Sequence, residues 1–381
     1  MKSPVRNQPK FIFFIRKYYL LIALVGFALV WALLFTYQKY LQSQIRGQTD
    51  IFSLNGINSL QKITLGGVEQ WLLIRGWDRS NPVLLFLHGG PGAPLFSYAR
   101  KIGFDTGLEK HFVMVYWEQR GTGKSFSLSL PDESMTVRQF VSDCYKLSDF
   151  LCDQFKVKKI YLVGRSWGSL IGLLTVNIHP ELFHAFIGIG QLVHPLRNDS
   201  LSYNYTVQLV RRYGTAADIK DVKSIGYPPY NRDQVLRQRK WLTKFEQIQM
   251  REKPDRHRYD YRTQLLSTPE YSLSDVLLMG IDPLYSFKHL WNEQFYRINL
   301  FEQVPEIGVP VYFLQGRYDY FSPGELVVKY YNRLQAPNGK RLIWFEASGH
   351  EPEFTEPEKF RDVLCQVKDT VVKSDSLAVI Q

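Results

Sequence analysis

Cysteine is scarce in this 381-residue chain, with only Cys144, Cys152 and Cys365. The first two fall in one expected helix, about 12 Å apart at 1.5 Å per residue, too far to bridge. A disulfide framework is therefore excluded. Internal repeats and low-complexity tracts are also missing. The formal net charge is +11, but the basic residues are scattered and no nucleic-acid-binding motif accompanies them, so no nucleic-acid partner is expected. The charge fits either a basic tail and face near an anionic membrane or a solvated surface rich in lysine and arginine. Hydrophobic residues make up 45% of the chain, enough for a sizeable core.

One stretch has no charge at all. Residues 18–37 (YYLLIALVGFALVWALLFTY) are long enough to cross a hydrocarbon layer of about 30 Å as a helix. Tyr18, Tyr19, Tyr37 and Tyr40 suit an aromatic belt, whereas Trp31 lies deep for one. A cleaved signal peptide needs a shorter apolar core and small residues before the cut, and residues 38–42 (QKYLQ) offer none. A buried core helix would show a polar face, which is absent here. The expectation is an uncleaved transmembrane helix over 18–38. Lys2, Arg6, Lys10, Arg16 and Lys17 precede it, and only Lys39 and Arg46 follow closely. The positive-inside bias then makes 1–17 a cytoplasmic basic tail and places the remainder outside the cell membrane. The polar stretch 39–60 reads as a stalk. An external domain without disulfides fits a bacterial surface better than a eukaryotic secretory one.

Beyond the stalk, apolar runs and helical patterns alternate. Strands are expected at 68–74, 83–87, 112–117, 160–163 and 185–189, with a helix over 136–155. Strands apolar on both faces and separated by helices indicate an α/β fold with a parallel sheet covered on both sides. The pattern breaks near 191 and resumes after 300 with strands at 311–315 and 342–345 and helices at 324–334 and 356–372. The core is thus expected over 61–190 and 301–375, with 191–300 as an inserted helical cap. A separate second domain is the alternative, but the last segment is too short to build its own sheet.

Residues 164–168 read G-R-S-W-G between an apolar run and a helix-like stretch. Alone, the pentapeptide is equally a plain Gly/Ser turn. Placed between strand and helix it reads as a nucleophile elbow that lifts Ser166 clear of the backbone. A serine hydroxyl needs a base, and the base an orienting carboxylate. Asp319 follows strand 311–315 and His350 follows strand 342–345, which supplies the order Ser, Asp, His at strand carboxyl ends. An oxyanion requires donors: the Trp167 N–H is one, and the H-G-G-P-G run at 88–92 supplies the other, Gly90 favoured over Gly89.

H-G-G-P-G (88–92), Q-R-G-T-G-K-S (119–125), G-R-S-W-G (164–168), G-R-Y-D (316–319) and S-G-H (348–350) together resemble the prolyl iminopeptidase family of α/β hydrolases. The motifs cover most of the chain from 60 to 375. The resemblance implies the α/β-hydrolase fold, no metal or other cofactor, and cleavage after an N-terminal residue, often proline, of a short peptide. Family members carry aspartate before Q-R-G. Here Glu118 stands there, expected to pair with Arg120 or a loop N–H. Family aminopeptidases bind the substrate amine through a glutamate in an N-E-x-F-like segment, which Asn292-Glu293-Gln294-Phe295 resembles, so Glu293 is the amine-binding candidate. Tyr320 replaces a second family glutamate, and the family's cap motif is missing. The leading expectation is a membrane-anchored, aminopeptidase-like serine hydrolase acting on a small peptide or acyl substrate. An esterase or amidase with the same triad is one alternative, and a non-catalytic surface binding protein is another. Epoxide and haloalkane hydrolysis need a carboxylate where Ser166 stands.

Overall fold

The computed structural model describes residues 8–250, 261–281 and 285–378, so Lys2 and Arg6 of the basic tail lie outside the described residues, as do positions 251–260 and 282–284 of the expected cap. The elements run α1 (Gln8–Thr49), β1 (Ile57–Leu65), β2 (Val68–Gly76), β3 (Val83–Leu87), α2 (Phe96–Thr106), β4 (Val113–Glu118), α3 (Val137–Phe155), β5 (Ile160–Arg165), α4 (Trp167–Ile178) and β6 (Phe183–Ile189). The helices α5 (Pro195–Tyr213), α6 (Ala216–Ile225), α7 (Arg232–Gln249), α8 (Tyr261–Ser267), α9 (Leu273–Ile281), α10 (Tyr285–Leu290), α11 (Glu293–Tyr296) and α12 (Leu300–Gln303) follow. The chain then returns to the sheet with β7 (Val311–Gly316), α13 (Gly324–Arg333), β8 (Lys340–Phe345), α14 (Pro352–Thr355) and α15 (Pro357–Ala378).

The eight strands form one sheet in the order β1-β2-β4-β3-β5-β6-β7-β8. Strands β3 to β8 pair in parallel, while β1 and β2 add an antiparallel edge. Side chains alternate faces along each strand. Leu72, Ile74, Leu85, Leu87, Val115 and Trp117 point to the face covered by α3 and α4. Leu73, Leu84, Phe86, Met114 and Tyr116 point to the face covered by α2 and α15. Each fully buried aliphatic or aromatic side chain contributes about 1.5–3 kcal/mol, so two continuous apolar layers hold the sheet rigid. Helix α3 starts where the Thr136 side chain accepts the Gln139 N–H.

Two features differ from the sequence expectations. Strand β1 was not expected and begins inside the expected stalk, and its alternation is faint because mostly polar side chains face outward at the sheet edge. Helix α1 also does not stop at the end of its apolar run. It continues unbroken to Thr49, and its last turns dock on the body through buried Gln38 and Gln42. Among the described residues it is the one helix long and apolar enough to cross a membrane, and its apolar part is exposed.

Candidate active site

The elbow forms because two glycines permit it. A Cβ at Gly164 would lie 2.3 Å from the Gly168 carbonyl oxygen, and one at Gly168 would lie 2.4 Å from that of Leu87. Ser166 itself adopts φ 53° and ψ −114°, a conformation that non-glycine residues rarely take. Its N–H donates to the Ile189 carbonyl (2.8 Å), and its carbonyl accepts from the Ser169 hydroxyl (2.6 Å). These bonds hold the strained turn against β6.

Asp319 and His350 leave the ends of β7 and β8. Asp319 Oδ1 accepts the N–H groups of Phe321 (2.9 Å) and Ser322 (2.8 Å), which leaves Oδ2 to face His350 Nδ1 at 2.9 Å. Burial pulls the His350 pKa down, but the Asp319 charge and hydrogen bond, with Glu246 and Glu351, more than offset it and leave it raised. The Phe321 ring stacks on the imidazole at 5.0 Å.

The elbow and the histidine–aspartate pair meet at the end of β6. Gly190 follows Ile189, the residue that holds the Ser166 N–H. A Cβ on Gly190 would lie 2.9 Å from Asp319 Oδ2 and 3.0 Å from His350 Nδ1. A second tie runs through Arg165, whose guanidinium bonds Glu353 (2.7 Å), Glu351 (2.9 Å) and the Tyr98 hydroxyl (2.7 Å). The residue before Ser166 is thereby fastened to the segment just after His350.

Gly89 abuts the serine, since a Cβ there would lie 3.4 Å from that of Ser166. The loop beyond it turns through a cis Gly90-Pro91 bond, with Gly90 at φ 118°. Among the described residues, neither the Gly90 N–H nor the Trp167 N–H donates to another protein group. The latter is the first orphan donor of α4, where the helix dipole also favours negative charge. His88 and Gln119 brace this region. The Gln119 N–H donates to His88 Nε2 (3.2 Å), so Nδ1 carries the proton and donates to the Gly89 carbonyl (2.8 Å). Burial pushes the His88 pKa down to about 4, which keeps it neutral. The Gln119 side chain accepts from Trp167 Nε1 (3.0 Å) and donates to the His88 carbonyl (3.3 Å).

Glu118 takes the second of its two expected partners, the loop N–H, and Glu293 stands differently from expectation. Glu118 does not pair with Arg120, which instead forms a fully buried ion pair with Asp143 (2.9 Å). Glu118 takes the loop N–H of Lys124 (2.6 Å), the N–H of Phe96 (3.2 Å) and the Tyr271 hydroxyl. Glu293, the expected amine-binding residue, is 80% exposed and ion-paired with Arg297 one turn later. An acid so hydrated attracts an ammonium weakly. The N-E-x-F segment contributes Phe295 instead, whose ring packs against that of Trp167 at 6.0 Å.

Helix α7 supplies a different acid, Glu246, which sequence reasoning missed. Its carboxylate accepts the main-chain N–H of His350. Burial pushes its pKa up to about 8; Asp319 adds to the rise, and His350 opposes it. The available signal was its place on the buried stripe of α7, beside Phe245 and one turn after Leu242, both fully buried. Helix α5 also clasps the acid loop, with Asn198 donating to the Phe321 carbonyl (2.7 Å) and Ser202 to that of Tyr320 (2.8 Å).

Comparison with known proteins agrees with this architecture. Residues 82–357 match the alpha/beta hydrolase fold family. A probable aminopeptidase of Bacillus subtilis (strain 168), YbaC, is 35% identical over 310 residues, covering 80% of this chain and 94% of that protein. A proline iminopeptidase of Lactobacillus crispatus is 29% identical over 136 residues, 35% of this chain and 41% of its own length. Among solved structures, a bacterial membrane phospholipase A has a TM-score of 0.60 at 20% identity, covering 94% of this chain and 98% of that one. The proline iminopeptidase of Mycobacterium smegmatis has a TM-score of 0.58 at 16% identity, covering 83% of this chain and all of its own. At such identities the structural likeness establishes the fold, while the sequence relatives carry the kinship. The chain belongs to the alpha/beta hydrolase fold family, as an aminopeptidase- and proline iminopeptidase-like hydrolase.

Proposed function

We propose that this hydrolase is a serine aminopeptidase that releases N-terminal residues from short peptides through an acyl-enzyme. The observation that carries the reading is the 2.9 Å Asp319–His350 contact at the end of β6, beside the strained elbow of Ser166. In this reading Ser166 Oγ attacks the scissile carbonyl and His350 takes its proton, then returns it to the leaving amine. Asp319 holds the imidazole in the Nδ1–H tautomer and stabilises the imidazolium. The Gly90 and Trp167 N–H groups receive the oxyanion, and water then attacks the ester, with His350 again the base. The free α-ammonium of the substrate is received by Glu246, a shielded acid beside the triad that ionises on pairing with it, rather than by exposed Glu293.

The same reading anchors the protein through α1, with 1–17 in the cytoplasm and the hydrolase outside the membrane. Support comes from the uncharged run and from the helix continuing unbroken into the docked turns, which cleavage after the run would sever. Carbonate-washed membranes should retain the full-length chain; its release into the wash contradicts anchoring.

A panel of substrates tests the aminopeptidase reading. Pro- and Ala-naphthylamides should turn over, and their N-blocked forms should not. If blocking leaves turnover unchanged, or only short acyl esters react, the exopeptidase reading fails and an esterase takes its place. The phospholipase neighbour makes acyl esters the natural comparison.

A further inference from the structure

Helix α1 is joined to the oxyanion side of the site by a continuous line of buried polar contacts. The Gln42 amide donates to the carbonyls of Thr268 (2.9 Å) and Tyr271 (2.8 Å), and the Gln38 amide donates to that of Tyr271 (3.3 Å). Both glutamines are no more than 2% exposed. Thr268 and Tyr271 follow the end of α8, where the Thr268 carbonyl also accepts the Tyr271 N–H (3.2 Å), so the glutamine amides tie α1 to a turn that is itself closed. The C-terminal end of α1 is pinned as well. Arg75 donates to the Thr49 carbonyl (2.5 Å), and Arg100 bonds both Asp50 (2.7 Å) and Glu270 (2.9 Å). The helix therefore cannot turn or slide without displacing the 268–271 segment.

From Tyr271 the line continues inward. Its hydroxyl donates to Glu118, and its ring stacks on Phe96 at 6.1 Å. The Glu118 carboxylate also accepts the Phe96 N–H, where the loop from His88 ends and α2 begins, and the Lys124 N–H in the loop after β4. Glu118 leads directly into Gln119, which holds both His88 and Trp167. One carboxylate thus fixes the far end of the loop carrying Gly89 and Gly90 and the start of the segment bracing Trp167.

We propose that the docked end of α1 is a positioning element for catalysis: Gln38 and Gln42 place Tyr271, Tyr271 places Glu118, and Glu118 sets the two oxyanion donors. This rests on the serine hydrolase reading and is independent of whether α1 spans a membrane. The docked helix is then part of the catalytic scaffold, and a force that shifts α1 alters turnover.

The test uses the full-length protein with Gln38→Leu/Gln42→Leu, Tyr271→Phe and the triple variant, each checked for thermal unfolding beside wild type. Misplacing donors that act only in the transition state should lower kcat about tenfold in the paired variant with KM unchanged. The Tyr271→Phe change should do the same, and the triple variant should fall no further than the worse of the two. The acid limb of kcat, which carries the Glu118 ionisation beside that of His350, supplies a reading that general loosening does not. Burial raises the Glu118 pKa to about 7 against the opposing Tyr271 hydrogen bond, with Lys124 and Tyr98 the other titratable groups facing it. Removing the tyrosine hydroxyl raises it further, so the limb moves to higher pH in Tyr271→Phe, a variant that keeps the ring packing even if the glutamine pair unfolds. Unchanged kcat, purely additive losses or an unmoved limb would each overturn the proposal. Failure of wild type itself to react with a fluorophosphonate would instead reject the hydrolase reading.

Discussion

Arg165, the residue before Ser166, is ion-paired at 2.9 Å with Glu351, the residue after His350. The two residues are 186 positions apart in the chain, and this contact sets the relative position of the elbow and the histidine loop. Glu353 (2.7 Å) and the Tyr98 hydroxyl (2.7 Å) share the same guanidinium, which is almost fully buried.

Replacing Arg165 by methionine keeps the stem and removes the fork. Two carboxylates then lose their partner, one of them, Glu353, fully buried. Stability should fall by about 3–5 kcal/mol. Turnover of the surviving folded protein should drop about 100-fold, the cost of a misplacement near 1 Å. Thermal unfolding and kcat read the two effects separately.

Glu246→Gln separates amine recognition from chemistry. The variant should raise KM for free-amine naphthylamides at pH 8 and leave short acyl esters untouched. It also changes the pH dependence of stability. The folded protein keeps the Glu246 proton up to about pH 8, whereas the unfolded chain loses it near the ordinary value of 4.5. Wild type therefore loses stability as pH rises between those values, and the variant does not. The midpoint of unfolding for Glu246→Gln should gain on wild type from pH 5 to pH 8.

The His350–Asp319 contact predicts a shifted pH profile. His350 acts as base only when neutral, and its pKa is raised by Asp319. Activity should fall as pH drops through a value above 6.5. Asp319→Asn should move that limb to lower pH and lower kcat by about 10⁴-fold. A kcat/KM profile of both proteins checks the sign.

Gly190 has φ 51° and faces the histidine–aspartate pair. Alanine there meets both backbone strain and a 2.9 Å approach to Asp319 Oδ2, so Gly190→Ala should cut kcat about 100-fold by displacing the imidazole. Circular dichroism and the unfolding midpoint should show a protein that still folds.

These residues also show what a sequence discloses. The elbow, the glycine loop and the order of Ser166, Asp319 and His350 are local patterns at strand ends, and the structure sets those segments side by side. The parallel strands were visible because burial on both faces makes them continuously apolar. Strand β1 was hidden by its edge position, since Asn58, Leu60, Lys62 and Thr64 all face outward. The docking of α1 rests on two glutamines that bond to carbonyls over two hundred residues away, and no local pattern encodes that. Glu246 and Glu293 are both acids on helices between β6 and β7. Only tertiary packing shields the first beside His350 and leaves the second in solvent.

The most direct measurement is the site of covalent capture by a fluorophosphonate probe on the folded, full-length protein, mapped by mass spectrometry. The expected result is a single adduct on Ser166, abolished in Ser166→Ala and slowed in Asp319→Asn. A folded protein that takes no label at Ser166 would contradict the nucleophile assignment and the catalytic reading built on it.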